Sequence, residues 1–97
     1  MKKRTPAVYI MTNKPYGTLY VGVTSCLIQR VWQHRHKEIE DFTSRSDLDK
    51  LVWYEVHETM ESAIPKEKAI KYWKREWKVK RIEALNSDWK DLYPYIL

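Results

Sequence analysis

Tyr9 and Tyr20 stand eleven residues apart, each in a short apolar run, Ala7-Val8-Tyr9 and Tyr20-Val21-Gly22. Arg30 and His34 follow with a spacing of four, which on a helix puts both on one face. Leu27 and Val31 mark the buried side of that helix, so Arg30 and His34 lie at the edge of its apolar stripe. A cation there can point into a cleft and meet an anion. Glu67 is stranger. It lies three residues after Ile64 and three before Ile70, inside an apolar stripe with Met60 and Ala63. Burying a carboxylate costs several kcal/mol unless it is paired or binds a cation. One carboxylate with water and phosphate oxygens suits Mg²⁺, which keeps much of its hydration shell. Hydroxyls, an Arg, a His and a metal-binding acid together form a phosphate-handling set.

Each residue also has a plainer reading. The tyrosines suit strands for reasons of packing alone. Arg30 can lie along apolar surface beside a carboxylate. Glu67 can form a salt bridge, with Arg30 for example. Other constellations fail. His36 and His57 have no zinc-site spacing with Cys26. Ser25 with His34 is no recognisable nucleophile pair. Gly17 and Gly22 alone make no phosphate-cradling loop.

Two β-strands are expected to carry the tyrosines, over 7–12 and 18–23, with Pro15-Tyr16-Gly17 supplying the turn. Val8, Ile10, Leu19 and Val21 alternate with Tyr9 and Tyr20, so both tyrosines face away from those apolar side chains. Thr24 or Ser25 caps a helix running to about Lys37. Residues 38–49 read as a loop or a short helical turn. A third strand spans Leu51 to His57, with Leu51, Trp53 and Glu55 on one face and Val52, Tyr54 and Val56 on the other. A second helix starts near Thr59 or Glu61, with Pro65 either inside it or in its first turn. A third covers Trp77 to Leu85. Asn86-Ser87-Asp88 stops it, and Trp89 to Tyr93 makes a final turn before Pro94. The order β-β-α-β-α-α predicts an α+β domain, a small three-stranded antiparallel sheet flanked by helices.

The chain has 97 residues, which predicts one domain over 1–97. Five Trp and seven Tyr supply a compact core, and two Gly argue against disorder. The single Cys26 allows no internal disulfide, which fits a reducing compartment. No apolar run nears the roughly 20 residues of a membrane span, and the start of the chain lacks a signal-peptide apolar stretch. A cytoplasmic protein without a membrane partner is expected. The net charge is +5. From Lys66 to Arg81 there are eight bases against two acids, so the rest of the chain is close to neutral. Tyr72, Trp73 and Trp77 interleave with these bases. Lys66, Lys71, Lys74, Arg75 and Lys78 are the candidates for contacting a nucleic-acid backbone. A solvated helix face is the plainer alternative.

Ala7-Val8-Tyr9, Tyr20-Val21-Gly22, Arg30 and His34 resemble the opening motifs of the GIY-YIG nuclease family. The nearest subgroup is the small stand-alone bacterial domains similar to the endonuclease domain of the excision-repair subunit UvrC. Lys66 to Arg75 resembles the acidic-helix motif of that subgroup, and Asn86 with Trp89-Lys90-Asp91-Leu92 its terminal motif. The resemblance implies the GIY-YIG fold and a phosphodiester hydrolase using one Mg²⁺ or Mn²⁺ on DNA, branched or damaged, with targeting supplied by a partner protein. It implies that Tyr20 activates the attacking water and that Tyr9 holds or orients water. Arg30 would bind the scissile phosphate, and His34 would hydrogen-bond a tyrosine or the phosphate. Glu67 would hold the metal, and Asn86 would support the site or the metal-bearing helix. A phenol has an ordinary pKa of about 10, so a base role needs positive charge nearby, from Arg30 and the metal.

There are departures from the family pattern. Ala7 replaces a frequent Gly. Val23 stands where excision-repair domains carry Lys, which removes a cation. Lys66 precedes Glu67 in place of the usual Arg. The competing readings are a binding module that kept the fold without turnover, and an interaction domain with no nucleic-acid role.

Overall fold

The computed structural model describes residues 5–36 and 48–97. Its elements are β1 (Ala7–Thr12), β2 (Leu19–Thr24), α1 (Leu27–Arg35), β3 (Lys50–Val56), α2 (Met60–Lys71), α3 (Arg75–Leu85) and a short α4 (Tyr93–Ile96). The antiparallel sheet has the order β2-β1-β3, so the strand carrying Tyr9 is central and the strand carrying Tyr20 is an edge. This is the expected α+β arrangement. The segment expected as a loop or helical turn lies, up to residue 47, outside the described residues, as do the end proposed for α1 at Lys37 and residues 1–4.

The hairpin register pairs Tyr9 with Gly22 and Met11 with Tyr20. Directly paired residues share a face, so both tyrosines project from the same side. That side packs on α1 through Ala7, Tyr9, Met11, Leu27, Val31, Leu48 and Leu51. The opposite side, with Val8, Ile10 and Val21, packs on Ala63 and Ile70 of α2 and Ile82 of α3. The sheet is thus covered on both faces, and the alternation in β1 and β2 sorts side chains between two cores.

In β3 the alternation breaks. Ile10 pairs with Trp53 but Met11 pairs with Leu51, which leaves Val52 as an extra residue in a β-bulge. Val52 and Trp53 therefore both join the α2/α3 core, while Leu51 and Tyr54 turn to the α1 side. This corrects the strict two-face pattern predicted for the strand. The bulge carbonyl, which the ladder cannot satisfy, accepts a hydrogen bond from Asn86 Nδ2 at 3.1 Å. The next backbone groups are also claimed. Asp91 Oδ1 accepts from Leu51 N at 3.1 Å, and Leu92 N donates to Leu51 O at 2.7 Å.

Pro65 lies inside α2. Its missing N–H leaves one intrahelical bond unmade, while Thr59 caps the start by accepting from Ser62 N. Helix α3 begins at Arg75, two residues before the predicted start, and its Trp77 N–H bonds Lys74 O. The predicted final turn before Pro94 is also corrected, because Pro94 lies within the helical turn Tyr93–Ile96. Proline's fixed φ suits the first turn of a helix, whereas Trp89 has a left-handed φ of 56° and breaks the backbone there.

Candidate active site

Tyr9, Tyr20 and His34 form one cluster. The Tyr9 hydroxyl and His34 Nε2 are hydrogen-bonded at 3.0 Å in a buried position. The Tyr20 ring lies 6.4 Å from the Tyr9 ring and 5.7 Å from the His34 ring, centre to centre. Position in the fold sets their exposure. Tyr9, on the central strand, and His34, on the inward stripe of α1, are buried. Tyr20, on the edge strand, is only half-buried.

The rings can approach because Gly22 has no side chain. A Cβ at Gly22 would meet Tyr9 Cζ and Oη at 2.5 Å and a Tyr20 ring carbon at 3.0 Å. The tripeptide's final glycine is therefore required by the space its neighbours occupy. Gly22 was visible in the sequence as the end of the second run, but its contact with Tyr9 was not.

Arg30 lies one helical turn before His34 and is half-buried. It lines a polar cleft of about 140 Å³ with Thr24, Ser25, Cys26, Gln29 and Gln33. No hydrogen bond or ion pair holds its guanidinium among the described residues. A cation in a polar cleft, with its charge not committed to a protein carboxylate, is suited to an incoming anion.

Glu67 lies on the inward stripe of α2, between Ala63 and Ile70, on the helix that covers the opposite face of the sheet. Its side chain is 9% exposed, so the carboxylate is buried as the apolar spacing predicted. Ile64, expected in the same stripe, is instead exposed. The partner of Glu67 is Lys71, whose Nζ lies 2.7 Å from Oε2, and not Arg30. That hydrogen bond is the main reason the Lys71 ammonium is held above its ordinary pKa, and the ammonium also feels Tyr20.

The other predicted backbone-binding cations are distributed differently. Arg75 donates to the carbonyl of Tyr16 at 2.7 Å and also to that of Gly17, tying the hairpin turn to α3. Lys78 Nζ donates to Lys71 O at 3.1 Å at the end of α2, where burial lowers its pKa. Lys74 sits 6.0 Å from the Trp77 ring centre. Lys66 is half-buried and has no such partner among the described residues. Asn86 is buried, and its side chain bonds β3 and Lys90, not α2. Its contacts support the bulged strand and the turn that follows α3.

Sequence reasoning missed Lys71 as the counter-ion of Glu67, although their i,i+4 spacing was a signal. It named Trp73 among the interleaved aromatics but did not join it to Lys80 and Arg81 as one surface.

A three-stranded sheet with paired tyrosines beside a helical Arg and His, and an acid on a second helix, defines a nuclease-like α+β domain. The model of the GIY-YIG catalytic domain matches residues 5–81. The chain belongs to that family, whose members are endonucleases acting on nucleic acid. Searches of curated proteins and of solved structures gave no match. Among the described residues no helix is long and apolar enough to cross a membrane.

Proposed function

We propose that this chain is a divalent-metal-dependent endonuclease that hydrolyses DNA phosphodiester bonds. The observation that carries the reading is the Tyr9–Tyr20–His34 cluster, with its 3.0 Å Tyr9–His34 hydrogen bond, one helical turn from the Arg30 cleft. In this reading Arg30 binds the scissile phosphate and offsets charge that builds on its oxygens in the transition state. Tyr20, the more exposed tyrosine, contacts the attacking water and takes up its proton. Tyr9 is held by His34 and orients that water. The water oxygen bonds to phosphorus as the bond to the leaving oxygen breaks, and the leaving oxygen gains a proton.

Glu67 fits a metal role. It is a buried hard-oxygen donor already facing a cation. Among the described residues no group of three or more His, Cys, Asp or Glu forms a cage, so the donor set suits Mg²⁺ or Mn²⁺ with water rather than a zinc centre. Glu67 would hold the ion, which would polarise the phosphate and stabilise the leaving oxygen. Lys71 must release the carboxylate for that to happen. Asn86 maintains the platform by closing the β3 bulge. Branched or damaged DNA, and a protein partner that brings the domain to it, follow from the likeness to excision-repair domains.

One observation favours a second reading, a binding module without turnover: Lys71 already neutralises Glu67. A nicking assay on plasmid and branched DNA with Mg²⁺ or Mn²⁺ separates the two. Cutting is expected from the wild type, with loss in Glu67→Ala and in Arg30→Ala while the fold persists. Salt-sensitive DNA binding without cutting under either metal would establish the second reading instead.

A further inference from the structure

Helix α3 buries only Ile82, yet it carries large apolar side chains. Trp77 is 52% exposed, and Tyr72, just before the helix, is 87% exposed. Trp73, Trp77, Lys80, Arg81 and Ala84 line an open groove of about 320 Å³ along one side of the helix. Trp77, Lys80, Arg81 and Ala84, spaced three, one and three, share one face of α3, and Trp73 joins them from the turn before the helix. The Arg81 guanidinium lies 5.0 Å above the Trp73 ring, and Trp73 packs at the edge of the core. The groove therefore has a fixed floor, a cation on that floor, and a second indole exposed beside it. A neighbouring hollow shares Lys80 and adds Arg75, Glu76 and Val79.

We propose that this groove binds unpaired nucleotides, with Trp77 as the stacking surface and Lys80 and Arg81 as the phosphate contacts. The proposal rests on the nuclease reading for its choice of a nucleic acid, and it assigns the substrate class as DNA with a single-stranded segment. The argument is complementarity. An exposed indole offers a flat apolar face that every base can stack on. The flanking charge is cationic and matches phosphates. A blunt duplex hides its base faces inside its own stack, so it can use the cations but not the indole. An acidic peptide would satisfy the charge but has no planar group to match the ring.

The test is binding in the absence of metal, so that it reads this surface and not cleavage at Glu67. A short single-stranded oligonucleotide, its blunt duplex and an acidic peptide are titrated against wild type, Trp77→Ala and Trp77→Phe. The single strand is expected to quench tryptophan fluorescence, and Trp77→Ala is expected to weaken it by about tenfold. The duplex should change less than about twofold, because it keeps the phosphate contacts and lacks the stacking. Trp77→Phe should recover most of the single-strand affinity. Equal losses for single strand and duplex, or none for either, overturn the proposal. Absence of quenching in the wild type does so without any variant. Tight binding of the acidic peptide that depends on Trp77 would make the groove a protein-docking surface and also overturn it. Each of these failures leaves the metal-dependent cleavage assay, and the nuclease reading, standing on their own result.

Discussion

Lys71 is the residue whose role changes most between sequence and structure. In the sequence it is one base among eight, a natural candidate for phosphate. In the fold it is the counter-ion of Glu67 at 2.7 Å. Its side chain is 53% exposed, so the pair is partly screened and contributes on the order of 1 kcal/mol or less. A divalent ion can displace such a partner, and the displacement weakens apparent metal affinity by a matching factor. Lys71→Met is therefore expected to bind Mn²⁺ about two- to fivefold tighter, followed by calorimetry or by the spin resonance of the free ion. Glu67→Gln should bind none at this site. Unchanged or weaker affinity in Lys71→Met would mean that the lysine does not compete for the carboxylate. The buried acid itself was legible in the sequence, because an ionised group in an apolar stripe is conspicuous. Its partner was missed, because Arg30 satisfied the same charge argument, although Lys71 stands four residues on along the predicted helix.

At the scale of elements, the hairpin is secured from outside its own strands. Tyr16, in its turn, and Trp89, after α3, both have left-handed backbones, with φ of 59° and 56°. Their rings lie 4.8 Å apart. Both side chains donate to the same Glu83 oxygen, Trp89 Nε1 at 3.0 Å. Hydrogen bonds from Tyr16 first, and then Trp89, hold the Glu83 carboxyl below its ordinary pKa, and the bond to Glu83 raises that of Tyr16. The lowered carboxyl contributes stability above its unfolded pKa of about 4.3, which is lost as pH falls through the folded value. The raised phenol contributes below its unfolded pKa of about 10, and that part is lost as pH rises through the folded value. Thermal melts of wild type and Glu83→Gln should thus differ most near neutral pH and converge in acid. A difference that stays constant from neutral to acid pH would remove Glu83 ionisation as its source. The hairpin, the third strand and the helix carrying Arg30 and His34 were all legible, since each has a clear period and a turn or cap. The bulge at Val52 was not, because one extra residue leaves the local composition unchanged. Nor was the clamp at Glu83, since residues 16, 83 and 89 meet only through the tertiary fold.

For the molecule as a whole, the sheet separates two cores, and the candidate site residues are divided between its two sides. Tyr9, Tyr20 and His34 belong to the α1 side, while Glu67 and Lys71 come from the α2 side. The order of motifs along the chain was readable, yet their division between two faces needed the strand pairing. The same holds for charge. The run from Lys66 to Arg81 looks uniform in sequence, but the fold splits it into bases bound to the protein and bases with no protein partner among the described residues. Arg75 is occupied by the hairpin carbonyls of Tyr16 and Gly17, whereas Lys66 has no hydrogen-bonded or ionic partner among the described residues. A base not already held by the protein is the one available to a phosphate, and each phosphate contact changes the slope of log affinity against log salt by about one. Lys66→Gln is expected to lower that slope by about one for duplex DNA and to leave the melting temperature near that of the wild type. Arg75→Gln should do the reverse, lowering the melting temperature as the hairpin loosens from α3 and leaving the slope unchanged. Salt titrations and melts on the two variants measure both quantities. If Arg75→Gln reduces the slope as much as Lys66→Gln does, the hairpin carbonyls do not hold Arg75 in solution, and the basic run acts as the single uniform face that its sequence resembles.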